Sequence, residues 1–144
     1  MTGAVFVDSN ILIYAHDVDA GLKRDQAVVA LRQLWQAGTG RLSVQVLQEF
    51  YVNVTQKLRT QISRAQAREV TNTYGAWVRE PTTVATVLRA TEIAEMMQIS
   101  FWDALIVAAA EQEGAETLYS EDLNPGQWIA GVKVVNPFLI STAT

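Results

Sequence analysis

The chain has 144 residues, a length typical of one domain with its own core, and we expect a single domain over residues 1–144. The absence of cysteine excludes disulfides, thiolate nucleophiles and zinc–thiolate sites, and the single histidine, His16, excludes a zinc site built on a pair of histidines. The net charge of −4 argues against a protein that binds polyanions by charge alone.

The first half of the chain alternates short apolar runs with helical patterns. This pattern predicts strand 4–7, helix 9–16, helix 22–37, strand 41–44 and helix 45–58. Gly38 and Gly40 are expected to close the second of these helices.

The second half continues the alternation. The pattern predicts helix 64–78, strand 82–84, helix 86–98, helix 101–113, strand 116–119 and strand 132–135. Ser63 and Gln66 have the spacing of a capping box, and Ser100 precedes its helix as a cap residue does. Strands that alternate with helices predict a mostly parallel sheet covered on both faces, an α/β fold.

No cationic N-terminal segment precedes an apolar stretch, and no apolar run approaches the ~20 residues of a membrane span. We therefore expect a cytoplasmic protein with no membrane partner.

Four acidic residues lie where strands end or helices begin. Asp8 directly follows strand 4–7, and Asp122 comes three residues after strand 116–119. Glu49 lies on the helix after strand 41–44, and Asp103 lies in the first turn of helix 101–113. Because the carboxyl ends of parallel strands share one edge of a sheet, the fold can bring these four acids together.

Neighbouring carboxylates ionise together only at a cost, unless a cation neutralises them. Oxygen ligands without histidine or cysteine favour Mg²⁺ or Mn²⁺ over zinc. Such an ion can activate a water against a phosphodiester, so no protein nucleophile is required. The four acids therefore indicate metal-dependent phosphodiester chemistry.

Each acid also has a purely structural interpretation, which the sequence leaves open. Asp8 can cap helix 9–16, and Asp103 can be the return partner of Ser100 in a capping box. Glu49 can be a solvated helix residue, and Asp122 can belong to a turn.

Basic residues flank the junction of two predicted helices and could contact RNA phosphates: Lys57, Arg59, Arg64 and Arg68. The alternative is a solvated loop and helix face.

Together, these segments resemble the PIN-domain ribonucleases, and within them the VapC-like toxins of prokaryotic toxin–antitoxin pairs. The resemblance lies in four motifs, which occur in order along nearly the whole chain: Val7-Asp8-Ser9-Asn10-Ile11, Val46-Leu47-Gln48-Glu49-Phe50, Ser100-Phe101-Trp102-Asp103-Ala104-Leu105-Ile106 and Tyr119-Ser120-Glu121-Asp122-Leu123-Asn124.

The resemblance implies an α/β/α sandwich with a mostly parallel sheet and a Mg²⁺- or Mn²⁺-dependent endoribonuclease that acts on RNA. It also implies a homodimer, and a cognate antitoxin whose C-terminal segment blocks the acidic pocket.

Carried over by position, the catalytic and metal-binding acids are Asp8, Glu49, Asp103 and Asp122. Three polar residues match positions that orient ligands or substrate: Ser9, Asn10 and Ser120. One departure is that Pro125-Gly126 stands where many members carry a further acid, and Glu121 is a candidate substitute.

Two other functions are compatible with parts of the sequence. The first is an aspartyl phosphoacceptor or phosphohydrolase that uses Asp8, which requires a lysine near the phosphoryl group. Lysine occurs only at positions 23, 57 and 133, and Lys133 opens the last predicted strand, at the wrong edge of the sheet. The second is a non-catalytic interaction module with the same fold.

Overall fold

The computed structural model describes residues 3–139 of the chain. Five strands in this part form one sheet: β1 (Val5–Val7), β2 (Gly40–Arg41), β3 (Thr117–Tyr119), β4 (Trp128–Ile129) and β5 (Val132–Val135). Their order across the sheet is β2-β1-β3-β5-β4, and all neighbours are parallel except β4 and β5. The parallel strands therefore share one carboxyl edge, as predicted.

Helices make up most of the remainder: α1 (Ser9–Ala15), α2 (Leu22–Ala37), α3 (Val44–Val52), α4 (Arg64–Tyr74), α5 (Val84–Met97) and α6 (Phe101–Gln112). Helix α1 packs on α2 and α3, and α3 packs on α4, while α5 packs on α6, which also contacts β3 and β5. The mostly parallel sheet flanked by helices confirms the predicted α/β/α architecture.

Local side-chain chemistry sets several helix ends as predicted. Ser63 and Gln66 form the reciprocal bonds of a capping box at the start of α4, and the Ser100 hydroxyl accepts a bond from the Asp103 N–H at the start of α6. Gly38 ends α2 in the left-handed conformation, with φ of 71°. Gly40, by contrast, belongs to β2.

The structure differs from the prediction in several elements. The predicted strand 82–84 is wrong: Thr83 caps α5, where its hydroxyl and that of Thr86 form a capping box instead of a strand pairing. The predicted helix 45–58 ends at Val52 and continues as a π-helical turn, Asn53–Lys57. Strand β4 was not predicted. It folds back on β5 through Ala130-Gly131, both at positive φ, the backbone that a tight hairpin turn needs.

Helix α6 lies at the centre of the core. All seven residues from 104 to 110 are buried, as expected for a helix that is apolar all round. Phe6, Leu118 and Val134 contribute fully buried side chains from β1, β3 and β5. Within residues 3–139 no single helix is long and apolar enough to cross a membrane; α5 and α6 together would be, but the chain bends by 118° between them.

Strand β2 lies directly against an aromatic ring. A Cβ atom on Gly40 would lie 2.5 Å from Cε2 of Trp77, which is buried in a 3₁₀ turn, Gly75–Trp77. The Trp77 carbonyl also accepts a bond of 3.0 Å from the Leu42 N–H. The short strand that leads into α3 is therefore fixed by its contact with this turn.

We predict that Gly40→Ala lowers the free energy of unfolding by about 1–3 kcal/mol, because the added methyl overpacks the Trp77 contact. Gly75→Ala is the matched control: no atom lies within 4 Å of its added Cβ, so its stability should be unchanged or raised by up to about 1 kcal/mol. Urea unfolding measures both. Equal stabilities of the two variants would contradict this account of β2.

Candidate functional site

The site is organised around Asp8, which lies between the end of β1 and the start of α1. One carboxylate oxygen, Oδ1, accepts a bond of 2.7 Å from the Ser9 N–H at the start of α1. The other oxygen, Oδ2, accepts a bond of 2.8 Å from the Ser120 hydroxyl, just beyond β3. The residue is only 3% exposed. Asp8 thus caps helix α1, as its purely structural interpretation predicted, and is also a buried carboxylate at the carboxyl edge of the sheet.

The loop after β3 is held against Asp8 by Asn10 and Ser120. The Asn10 amide donates a bond of 3.0 Å to Oδ2 of Asp122, and its oxygen accepts one of 3.4 Å from the Glu121 N–H. The Ser120 hydroxyl accepts a bond of 3.1 Å from the Asp122 N–H. The structure therefore brings the predicted Ser9, Asn10 and Ser120 to the two aspartates.

The charges of the four acids act on one another. The pKa of Asp8 is raised to about 7: burial is the largest cause, the bonds from Ser120 and Ser9 lower it, and the charges of Asp122 and Glu49 raise it. Burial likewise raises the pKa of Asp103, and the charge of Asp122 adds to this. Asp122 is thus within electrostatic reach of both Asp8 and Asp103, and Glu49 is within reach of Asp8.

The donor chemistry of this group suits a hard divalent cation, because every candidate ligand is a carboxylate oxygen. As the side chains stand, however, no three acidic or histidine residues within residues 3–139 converge closely enough to hold a metal ion. Glu49 and Asp103 are half-buried and Asp122 is exposed. Burial therefore restrains these three carboxylates less than it restrains Asp8.

Glu121 does not face the other acids. Its Oε1 accepts a hydrogen bond of 2.7 Å from the Tyr14 hydroxyl, and its Oε2 forms a salt bridge with the Lys23 ammonium. Burial raises the pKa of Glu121, but these two partners lower it more, so the net direction is downward. Both carboxylate oxygens are engaged, so in this arrangement Glu121 is not free to replace the acid that is missing near Pro125.

Sequence reasoning missed Tyr14 and Lys23. Tyr14 is four residues after Asn10 and so lies on the same face of α1, a spacing that could have identified it. Lys23 is separated from Glu121 by 98 positions, and no local pattern links the two.

The four candidate RNA-binding residues are exposed: Lys57, Arg59, Arg64 and Arg68. Lys57 ends the π-helical turn after α3, and Arg64 and Arg68 lie one turn apart on α4. Arg68 borders an apolar groove that it shares with Val44 and Tyr51 of α3. Of these residues, Lys57 and Arg68 are thus next to the helix that carries Glu49.

A separate cavity of about 930 Å³ lies away from the four acids, between α2 and α4. Its lining is largely apolar and aromatic, including Leu31, Trp35, Val70 and Tyr74. Of the acidic residues, only Glu69 borders it, so this cavity does not provide the ligands for a cation.

The chain has a mostly parallel α/β/α fold with acidic residues at the carboxyl edge of its sheet. Comparison with known protein families identifies the family to which this fold belongs. Residues 5–125 match the family model described as PIN domain. The chain therefore belongs to the PIN domain family, which confirms the resemblance. None of the curated protein sequences matches the chain.

Solved structures share the fold. A toxin–antitoxin complex from Klebsiella pneumoniae has a TM-score of 0.64 at 22% identity, covering 95% of this chain and 99% of the other. VapBC2 from Rickettsia felis, bound to a promoter DNA fragment, has a TM-score of 0.62 at 18% identity, covering 91% and 96%. Mycobacterium tuberculosis VapC20, described as a Sarcin-Ricin loop cleaving toxin, has a TM-score of 0.60 at 19% identity, covering 83% and 90%.

The buried carboxyl of Asp8 predicts a distinct pH dependence of stability. Its pKa in the folded protein, about 7, exceeds the ordinary value of 3.8, so the folded state retains a proton that the unfolded state has released. Stability of the metal-free protein should therefore fall as pH rises from about 4 to about 7. A gap of about three pH units corresponds to roughly 4 kcal/mol at most.

Asp8→Asn should remove most of this pH-dependent loss of stability, because the asparagine side chain has no proton to release. Its amide can still accept a hydrogen bond from the Ser9 N–H and donate one to the Ser120 hydroxyl. Urea unfolding at pH 4 and pH 8 in EDTA measures the effect. Asp25→Asn, which changes an exposed acid on α2, is the control and should behave like the wild type. A variant at Asp8 with the wild-type pH dependence would contradict the account.

Proposed function

We propose that this protein is a Mg²⁺- or Mn²⁺-dependent endoribonuclease, the toxin of a toxin–antitoxin pair. The observation that carries the proposal is the buried Asp8 carboxylate, fixed by Ser9 and Ser120 beside Asp122. Burying a carboxylate among other acids destabilises the fold. A functional role for the charge of Asp8 explains its burial better than helix capping does, because an exposed residue can cap a helix equally well.

In this proposal Asp8, Glu49, Asp103 and Asp122 hold the cation. When bound, it would lower the pKa of a coordinated water and stabilise charge on the phosphate. Asp8 provides the fixed ligand, since its rotamer is set by bonds from two elements. Asn10 orients the Asp122 carboxylate, and Ser120 connects the two aspartates through its hydroxyl.

Exposed basic side chains would hold the substrate. Lys57, Arg59, Arg64 and Arg68 offer exposed positive charge close to the α3 helix, where contacts to phosphates would fix the position of an RNA strand without reading its sequence. With a net charge of −4 the protein as a whole repels RNA, so this local patch and the bound cation would supply the attraction.

The toxin assignment is supported by the structural relatives. One is described as a toxin–antitoxin complex, another is VapBC2 bound to a promoter DNA fragment, and a third is described as a Sarcin-Ricin loop cleaving toxin. We propose by analogy a cognate antitoxin, a homodimer and a cytoplasmic location for this chain.

A phosphoacceptor at Asp8 is less consistent with the geometry. In the part of the chain that the structure describes, the Lys23 ammonium pairs with Glu121, and Lys133 lies near the start of β5. Neither of these lysines donates to Asp8 among the bonds found there.

Purified protein should cleave a mixed RNA preparation in Mg²⁺ or Mn²⁺, and EDTA should abolish the cleavage. Asp103→Asn should lower the rate by about 100-fold or more, because a metal ligand is lost. Gel analysis of RNA fragments over time measures this.

Glu95→Gln, which changes an exposed acid on α5, is the matched control and should retain the wild-type rate. Calorimetric titration with Mn²⁺ should show binding to the wild type and the control, and weakened binding to Asp103→Asn. Cleavage that survives EDTA would refute metal dependence. If the wild type neither binds Mn²⁺ nor cleaves RNA, the result favours a non-catalytic interaction module.

A further inference from the structure

The carboxylate of Glu121 is held by two helices. Tyr14 of α1 donates to one oxygen at 2.7 Å, and Lys23 in the first turn of α2 is bonded to the other. The Lys23 ammonium also lies 5.0 Å from the ring centre of Tyr14 and 5.4 Å from that of Phe138. Such cation–aromatic contacts favour this position of the lysine. Lys23, Tyr14 and Glu121 are called the Glu121 clamp below.

The clamp attaches to the loop that carries Asp122. Asn10 and Tyr14 lie one turn apart on α1, and both contact this loop: Asn10 at the Glu121 N–H and the Asp122 carboxylate, Tyr14 at the Glu121 carboxylate. The loop is therefore held on the side of the acids by Asn10 and on the other side by the clamp.

Charge explains why a second attachment is useful. Asp122 has the same charge as Asp8 and Asp103 and is repelled by both. It is exposed, so burial of its side chain does little to resist that repulsion, and the bond from Asn10 is the side-chain contact that opposes it. Lys23 also neutralises Glu121, so the loop adds one uncompensated negative charge to the acid group, whereas without Lys23 it would add two.

We infer that Lys23 is a positioning residue for the proposed metal site: through Glu121 it fixes the loop so that the Asp122 carboxylate stays within reach of the ion bound by Asp8. This inference rests on the proposed function. It assigns no ligand role to Lys23 or Glu121, since neither faces the acids.

The test is the affinity for Mn²⁺, measured by calorimetry on the full chain. Lys23→Met should bind Mn²⁺ about 10-fold more weakly than the wild type, as is typical when a residue that orients a metal ligand is lost. RNA cleavage by this variant should recover at saturating Mn²⁺, because the ligands themselves are intact. Lys23→Arg, which can still donate to Glu121, should restore most of the affinity. Arg24→Met removes the same charge from the next, exposed position and should bind Mn²⁺ like the wild type.

A double variant separates positioning from general charge effects. If Lys23 acts through Glu121, then Lys23→Met combined with Glu121→Gln should lose no more affinity than the larger of the two single changes. Additive losses would show that Lys23 acts independently of Glu121 and would overturn the inference.

Hydrogen exchange gives a readout that needs no metal. The amides of Glu121 and Asp122 should exchange faster in Lys23→Met than in the wild type or in Arg24→Met. Wild-type exchange and wild-type Mn²⁺ affinity in Lys23→Met would overturn the inference and leave the proposed function intact. A wild-type protein that neither binds Mn²⁺ nor cleaves RNA would refute the proposed function, and the inference with it.

Discussion

The structure depends on one buried carboxylate, Asp8, at the end of the β1 strand. Its two oxygens connect the start of α1 to the residue that follows β3. These two bonds determine where Asn10 and Asp122 lie, because Asn10 is on the first turn of α1 and Asp122 is bonded to Ser120. The free energy lost by burying Asp8 is therefore linked to the arrangement of the whole candidate site.

Much of this arrangement follows from the sequence. Asp8 and Ser120 come directly after strands predicted to be parallel, so their placement at one sheet edge was predictable, whereas the pairing of β1 with β3 is shown only by the structure. The caps at Ser63 and Ser100 were predictable because their partners are three residues away. Glu49 and Asp103 could be placed on the correct helices, but their distance from a shared ion depends on rotamers, which sequence patterns do not determine.

The contacts that the sequence did not reveal are those between distant positions. The pairing of Lys23 with Glu121 joins the start of α2 to the loop after β3, and it changes the interpretation of Glu121 from a possible ligand to part of a support. The hairpin through Ala130-Gly131 was missed because alanine is rarely at positive φ. Residues 82–84 were predicted as a strand, and threonine and valine do favour strands, but in the structure Thr83 caps α5 together with Thr86.

The proposed function requires Asp8, Glu49, Asp103 and Asp122 to be ligands of one cation site. The most direct test is a crystal structure of the wild type with Mn²⁺, with the ion located by its anomalous scattering. We expect a peak about 2.1 Å from a carboxylate oxygen of Asp8, with Asp103, Asp122 or Glu49 turned toward the same ion. Strong Mn²⁺ peaks elsewhere on the protein, with Asp8 bonded only to Ser9 and Ser120, would contradict it.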